Sequence, residues 1–269
     1  MRLRTGLIIL FCLWMNGATY AELDLEKLPE AQIVAAEKII QKLDPLIQQK
    51  NKEKNLAKMT FEEMYALLDK EEVGFLKEFL AIDPAKSKIH THWQGLAYGN
   101  EELVTVENQV IKKKDGSEST LPPQFVPPAA FKDYEKMMAD MKKDLGKRLY
   151  IESGYRSSAY QLYLFIFYLK NHHYSIRETA IWNALPGYSE HGNPSKQALD
   201  LMNEEGINGE NDPESFAVLP EYAWLLKNAE KYSFYLSYPK INSAGIGFEP
   251  WHWRYEIKPS QEIPQETTA

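Results

Sequence analysis

The stretch PGYSEHGNPSKQALDLM, residues 186–202, joins a turn-rich loop to a short apolar run, ALDLM, that carries a single carboxylate, Asp200. An apolar run of this length that follows Gly, Pro and Asn residues is typical of a buried strand. Further along the chain, FYLSY (234–238) and HWRYEI (252–257) have the same character, and residues 149–152 predict another strand. The second half of the chain is therefore predicted to contain a small sheet.

Helical patterns surround these predicted strands. Apolar residues recur at helical spacing between residues 131 and 145, and Gly146 is placed to end that helix. Segment 160–170 is strongly apolar and predicts a buried helix. Because helices and strands mix without a regular βαβ alternation, the sequence predicts an α+β fold with a small, mostly antiparallel sheet flanked by helices and an N-terminal helical extension.

The N-terminal extension and linker are predicted to occupy residues 22–120. Apolar residues at helical spacing between positions 33 and 47 predict a first helix, which Pro45 should bend or interrupt. Thr60 and Glu63 have the spacing of a capping box and predict a second helix, with a buried stripe of Met64, Leu67 and Leu68. No catalytic signature lies here, so packing or partner binding is the expected role.

Both ends of the chain have a different character. Residues 1–21 combine two arginines, an apolar run and a small-residue site after Ala21, which is the pattern of a secretory signal peptide. We therefore expect export to the periplasm or cell envelope, with no stable membrane span after signal cleavage. Residues 121–258 form the predicted main domain, and the polar residues 259–269 a flexible tail.

Charge and cysteine content exclude some functions. The formal net charge is −7 and reaches −9 without Arg2 and Arg4, so the protein has no electrostatic reason to bind nucleic acid. The single cysteine, Cys12, lies within the predicted signal peptide. Any metal site in the exported chain must therefore be built from His, Asp and Glu side chains.

Four residues suit a catalytic metal site. His191 and His252 with Asp200 would supply two imidazoles and one carboxylate, a common set for catalytic zinc that leaves a position for water. Glu249 precedes His252 by three residues, and a short turn could place its carboxylate beside that water as a general base. Spacing alone leaves alternatives open: His191 as a surface or core histidine, Asp200 as a strand-edge charge or the partner of Arg254, and Glu249 as a solvated carboxylate.

Three segments together resemble a known family. SGYRSSAYQ (153–161), PGYSEH leading to ALD within 186–200, and EPWHWRY (249–255) resemble, in this order, the motifs of the D-alanyl-D-alanine carboxypeptidase family of the VanY type, within the M15 zinc peptidases. WLLKNAEKYSFYLSYP (224–239) resembles the stretch before the third motif. The similarity covers about residues 125–257.

The resemblance implies a role for each motif residue. It implies that His191, Asp200 and His252 bind Zn²⁺ and that Glu249 is the catalytic base. Arg156 would meet an anionic group of the substrate or the developing oxyanion, with a structural ion pair as the alternative. Gln161 and Ser189 match positions that help to bind substrate, although both could be local turn or cap residues. Trp251 and Trp253 would wall the site, and Arg254 would orient a ligand.

One feature departs from the family pattern. The family usually places the Asp seven residues after the motif His, with a Gly midway, whereas Asp200 follows His191 by nine and Lys196 stands where that Gly would align. The loop of residues 192–195 therefore carries an apparent two-residue insertion. We expect this loop to edge the cleft and to affect substrate preference.

The resemblance predicts a zinc-dependent carboxypeptidase that removes the C-terminal D-alanine from peptidoglycan stem peptides, with DD and LD specificity both open. Two alternatives remain at this point. The first is a non-catalytic peptidoglycan-binding module with the same fold, in which the altered loop blocks turnover. The second is an endopeptidase that cuts inside the stem peptide.

Overall fold

A computed structural model describes residues 23–87, 90–112 and 116–257. The predicted signal peptide (1–21) and the predicted tail (259–269) lie outside the described residues. The helices are α1 (Glu30–Lys52), α2 (Phe61–Tyr65), α3 (Lys70–Leu80), α4 (Pro128–Leu145), α5 (Ser158–Tyr168), α6 (Ile176–Trp182), α7 (Pro213–Ala217) and α8 (Pro220–Asn228). The strands are β1 (Val104–Val106), β2 (Val110–Lys112), β3 (Glu118–Thr120), β4 (Gln124–Val126), β5 (Leu149–Ser153), β6 (Ala198–Asn203), β7 (Phe234–Leu236) and β8 (His252–Tyr255).

The main sheet has four strands in the order β5-β6-β8-β7, and every neighbouring pair is antiparallel. Leu199 and Leu201 are fully buried on its core face, while Asp200 between them points to the opposite face of β6. Helix α4 packs on the core face and ends at Gly146, which has a left-handed conformation with φ 69°. The α+β prediction is confirmed.

The N-terminal helices share one apolar core with α5 and α6. Ile39 of α1 and Phe75 of α3 are fully buried in the same cluster as Phe165 of α5 and Ile176 of α6. This arrangement identifies the role of the apolar stripe in α1 as packing against the second half of the chain. The proposed boundary at residue 120 remains a prediction, but this core crosses it.

The structure decides two details of the helical prediction. Helix α1 continues through Pro45 to Lys52, which excludes the interruption that was one of the two expected effects of the proline. Thr60 does form the capping box with Glu63, but α2 ends at Tyr65 and Leu67 beyond it is 46% exposed. Because Met64 already fills the buried position and the chain turns immediately afterwards, the three-residue stripe does not form.

Residues 104–126 form two small antiparallel pairs, β1 with β4 and β2 with β3. The loop between β1 and β2 carries Gln109, whose side chain donates to the carbonyl of Ile151 and accepts from its N–H, both at 2.8 Å. Gln109 therefore occupies the hydrogen-bonding edge of β5 as a neighbouring strand would. This fixes the edge strand that leads into the first motif.

The N-terminal half also holds the backbone around Arg156. The Ser157 N–H donates to the carbonyl of Ala57 at 2.8 Å, and the Ser157 hydroxyl donates to the carbonyl of Met59 at 2.5 Å. Ser158 and Ala97 exchange two further hydrogen bonds of 2.8 and 2.9 Å. The segment that presents Arg156 is thus bound on both sides by residues from the predicted extension.

Within residues 23–87, 90–112 and 116–257, no helix combines the length and the apolarity that a bilayer span requires.

The contacts of Glu72 allow a prediction of how the stability of the helical region changes with pH. Its side chain, 4% exposed, binds Lys42 at 2.6 Å and the Asp69 N–H at 3.0 Å, and pairs with Lys38 at 3.1 Å. Burial alone would raise the pKa of Glu72, but these hydrogen bonds lower it to about 2. A carboxyl whose pKa is lowered on folding stabilises the protein above its unfolded pKa, and this stabilisation is lost as the pH falls towards 2.

We expect Glu72→Gln to lower the free energy of unfolding by about 2–3 kcal/mol at pH 7. The difference from the wild type should shrink as the pH falls below about 4.5, because the unfolded chain then takes up a proton at Glu72 while the folded protein does not. Urea unfolding of both proteins between pH 3 and 7 measures it. The neighbouring, exposed Glu71 provides the control, since Glu71→Gln should change stability by less than about 0.5 kcal/mol. A pH-independent difference for Glu72→Gln contradicts the prediction.

Candidate metal centre

Asp200 and His252 face each other across two neighbouring strands. They are directly paired in the register of β6 and β8, so their side chains leave the same face of the sheet. The His252 Nδ1 lies 2.9 Å from the Asp200 Oδ1. The partners on either side, such as Leu199 with Trp253, point into the core instead. The pairing of β6 with β8 therefore brings one imidazole and one carboxylate together on the same face of the sheet.

His191 reaches the same point from the turn before β6. Ser189 begins a single 3₁₀ turn, Glu190–Gly192, and the His191 carbonyl accepts from the Arg156 N–H at 3.1 Å. The His191 Nδ1 donates to the carbonyl of Gly154 at 2.7 Å, because that carbonyl can only accept. The proton is therefore on Nδ1, and the Nε2 lone pair points away from Gly154.

The geometry of these three side chains fits a cation. The His191 Nε2 is buried without a hydrogen-bond partner although it lies 3.1 Å from the Asp200 Oδ2. A lone pair that faces a carboxylate at this distance is repulsive unless a positive charge lies between them. One ligand atom from each of His191, Asp200 and His252 lies within 4.8 Å of the others. Two imidazoles and one carboxylate are a donor set that suits catalytic zinc.

Glu249 lies at the edge of this cluster. Its Oε2 is 3.7 Å from the His252 Nδ1, and the His252 N–H donates to the Glu249 carbonyl at 3.1 Å, so Pro250 and Trp251 form a tight turn between them. Burial and the negative charge of Asp200 raise the pKa of Glu249 to about 7, against the opposing effects of His252 and Arg156. A carboxyl with this pKa can accept and release a proton near neutral pH.

Glu190 is a site residue that the sequence analysis did not identify. Its Oε2 accepts from the His252 Nε2 at 2.9 Å and from the Ser237 hydroxyl at 2.6 Å, while Arg254 donates to Oε1 at 2.9 Å. Burial would raise the pKa of Glu190, but the hydrogen bonds and charges of these partners lower it to about 2. Glu190 thus orients His252 with Nδ1 towards Asp200, and Arg254 acts through it. Its place beside His191 in the motif was the available signal.

The buried carboxylates also set the charge of the imidazoles. Burial would lower the pKa of His252, but Asp200 and Glu190 on its two nitrogens raise it to about 10, so a metal ion that binds Nδ1 has to displace a proton from it. Burial and the charge of Arg156 lower the pKa of His191 to about 4. His191 is therefore neutral at physiological pH, as a metal ligand must be.

The three predicted substrate residues surround the cluster in different ways. The Arg156 Nη2 lies 3.9 Å from the Asp200 Oδ2, and its Nε is buried without a partner. Gln161 donates to the carbonyl of Ala184 at 2.7 Å and leaves a buried Oε1 without a partner. The Ser189 hydroxyl accepts from the His191 N–H at 3.3 Å, which is the cap role that the sequence left open. Arg156 and Gln161 therefore retain hydrogen-bonding capacity for a substrate.

A cleft of about 690 Å³ contains the cluster and all three substrate residues. Trp251 lines it, whereas Trp253 is buried and donates to the carbonyl of Pro250. None of residues 192–197 lines this cleft, so the expectation that the longer loop would edge it is wrong. The loop turns away because Asn193 binds Gln94 at 3.1 Å and Lys196 pairs with Glu256 at 2.8 Å.

Part of this chain matches known proteins. Residues 124–258 match the family described as VanY, D-alanyl-D-alanine carboxypeptidase. A D-alanyl-D-alanine carboxypeptidase of Enterococcus faecium is 33% identical over 136 residues, which are 49% of this chain and 38% of that protein. The putative carboxypeptidase YodJ of Bacillus subtilis is 34% identical over 140 residues, which are 50% of this chain and 48% of that protein. The chain spans less than half the length of both relatives.

Two solved structures are also similar. The LdcB LD-carboxypeptidase is 27% identical with a TM-score of 0.46, over 61% of this chain and 74% of that chain. VanYB in complex with D-alanine-D-alanine is 20% identical with a TM-score of 0.42, over 64% of this chain and 87% of that chain.

Proposed function

Because the chain belongs to the VanY family of D-alanyl-D-alanine carboxypeptidases, we propose that it is a zinc-dependent peptidase that releases the C-terminal D-alanine of peptidoglycan stem peptides. The observation that carries this proposal is the convergence of His191, Asp200 and His252 within 4.8 Å, with Glu249 beside them. Either a DD- or an LD-linked terminal residue is compatible with this site.

The three ligands would hold Zn²⁺ through the His191 Nε2, the His252 Nδ1 and an Asp200 oxygen. When bound, the ion would lower the pKa of a coordinated water and polarise the scissile carbonyl. Glu249 takes the proton from the attacking water and delivers it to the leaving amine. Glu190 and the Gly154 carbonyl hold the two imidazoles in the tautomers that leave these nitrogens free.

Arg156 would bind an anionic group of the substrate, and the free Oε1 of Gln161 would accept a hydrogen bond from a substrate N–H. Arg156 has an uncommitted buried Nε and lies beside Asp200 at the centre of the cleft. A guanidinium there can bind the terminal carboxylate or the oxyanion that develops on the scissile carbonyl. The Gln161 Nε2 donates to the Ala184 carbonyl, which fixes the amide group of a side chain that lines the same cleft.

Two observations favour turnover over simple binding. The inserted loop of residues 192–197 does not line the cleft, so it leaves access to the metal ligands open. Glu249 is 9% exposed, and burying a carboxyl costs free energy that a purely binding site has no reason to expend. An exported location, in the periplasm or cell envelope, remains a proposal supported by the signal-peptide pattern of residues 1–21.

The test uses the purified protein, its metal content and two defined stem peptides ending in Lys-D-Ala-D-Ala and Lys-D-Ala. We expect about one zinc per chain, release of a single D-alanine from at least one peptide, loss of release with a chelator, and recovery with added Zn²⁺. Mass spectrometry of the products decides between functions. An internal fragment would identify an endopeptidase, and binding of both peptides without cleavage by the zinc-loaded protein would identify a non-catalytic module.

A further inference from the structure

Glu152 is a charged cleft residue that the proposed mechanism does not use. It lies on β5, four residues before Arg156, and both it and Ser153 line the cleft. The carboxylate is half-buried and forms no ion pair with any lysine, arginine or histidine among the residues that the structure describes. A half-buried carboxylate without a cationic partner costs free energy, so its presence here needs an explanation.

A β-bulge directs Glu152 into the cleft. Ile151 pairs with Leu201 and Ser153 pairs with the adjacent Asp200, so Glu152 is an extra residue that has no partner on β6. Regular alternation would send residues 152 and 153 to opposite faces of the sheet, whereas the bulge lets both line the same cleft. Bulges that redirect a side chain in this way are frequent beside active sites.

The surroundings hold this carboxylate in place from two sides. Asn208 donates to the Glu152 Oε1 at 2.7 Å, and Gln109 binds both backbone groups of the preceding Ile151. The loop that carries Asn208 is itself packed on the cleft wall, since a Cβ on Gly209 would lie 2.6 Å from the Trp251 ring. Asn208 supplies one neutral hydrogen bond and no positive charge, so the carboxylate keeps its capacity for a cationic ligand.

The negative charges around Glu152 favour the binding of a positively charged group in this part of the cleft. Burial first, and then the negative charges of Asp200 and Glu210, raise the pKa of Glu152 to about 7 against the hydrogen bond from Asn208. Glu210 also lines the cleft, on the same loop as Asn208. A ligand ammonium group beside Glu152 would relieve this burial and repulsion together.

We infer that Glu152 is a specificity-determining residue that binds a primary ammonium group on the substrate, on the acyl side of the bond that is cut. The inference rests on the proposed function, with the scissile bond at the metal ligands and, of the two roles proposed for Arg156, the binding of the terminal carboxylate. The cleft then selects peptides in which the residue before the terminal D-alanine, or the one before that, carries a free side-chain amine.

The test compares peptides that differ only in that amine: Lys-D-Ala-D-Ala and Lys-D-Ala endings against the same peptides with acetyl-lysine. The wild type should show kcat/KM about tenfold higher for the free amine, since one charge-assisted hydrogen bond is lost on acetylation. Glu152→Gln keeps an acceptor for Asn208 and should abolish this preference while changing the acetylated substrates less than about twofold. Glu205→Gln, on the same loop but exposed and outside the cleft, should retain the preference.

The outcomes separate the inference from the function on which it rests. Cleavage of free and acetylated peptides with equal kcat/KM by the wild type overturns the inference and leaves the peptidase proposal standing. An equal loss on both substrates in Glu152→Gln, with unchanged zinc content, identifies a structural role and also overturns it. No cleavage of any of the peptides by the zinc-loaded wild type removes the proposed function and the inference together.

Discussion

Glu249→Gln is expected to lower kcat by about three orders of magnitude and to leave the zinc content of the protein unchanged. Glutamine keeps the shape of the side chain but cannot take the proton from the attacking water. The three ligand atoms belong to other residues, and the 3.7 Å separation of Glu249 from the His252 Nδ1 is outside hydrogen-bond range. Catalysis and metal binding should therefore separate in this variant.

Single-turnover release of D-alanine, metal analysis and binding of an uncleaved stem peptide measure this separation. Glu214→Gln is a matched control, because it removes the same charge from a residue that pairs with Lys240 outside the cleft. It should retain full activity. If Glu249→Gln kept more than about a tenth of the wild-type kcat, Glu249 would not be the base, since general-base contributions are about a hundredfold or more.

Asp200→Asn is expected to remove zinc binding at micromolar metal and, with it, all measurable release of D-alanine. Asp200 contributes the only anionic ligand of the three, and its two oxygens lie 3.1 Å and 2.9 Å from the nitrogens of His191 and His252. Replacing the carboxylate by an amide removes the charge that balances the cation and presents one N–H₂ donor to it. Competition with a chromophoric chelator measures the change in zinc affinity.

Glu190→Gln should give an intermediate loss of zinc affinity in the same measurement. Its side chain does not belong to the ligand set but orients His252 and is bound by Ser237 and Arg254. We expect zinc affinity to fall by about 10- to 100-fold, the usual effect of losing a partner that orients a ligand, and therefore by less than in Asp200→Asn. Equal zinc affinity in Asp200→Asn and the wild type would contradict the ligand assignment.

The parts of the site that could be predicted from sequence are those set by local patterns. ALDLM and HWRYEI were predicted as strands from their apolar character, and each carries one candidate ligand, Asp200 or His252. The strand register that brings Asp200 and His252 face to face is a tertiary property. The sequence indicated that these two residues come together only through their resemblance to the family motifs.

The features that could not be predicted depend on contacts between distant segments. Glu190 orients a histidine 62 residues away, and its place beside His191 in the motif gives no indication of that distant contact. The bulge at Glu152 depends on the register in which β5 pairs with β6, and the sequence of either strand alone does not indicate it. The predicted position of the 192–197 loop at the edge of the cleft was wrong. Its partners Gln94 and Glu256, which hold it away from the cleft, lie far from it in the sequence.

The hydrogen bonds that the two serines after Arg156 form with the backbone of Ala57, Met59 and Ala97 have a consequence for how this chain can vary. They use carbonyls and an N–H, which almost any sequence can provide, so they set no requirement on the side chains at these three positions. The family match begins only at residue 124, although the apolar core crosses that point. The segment that carries the recognisable motifs is therefore shorter than the packed unit that supports them.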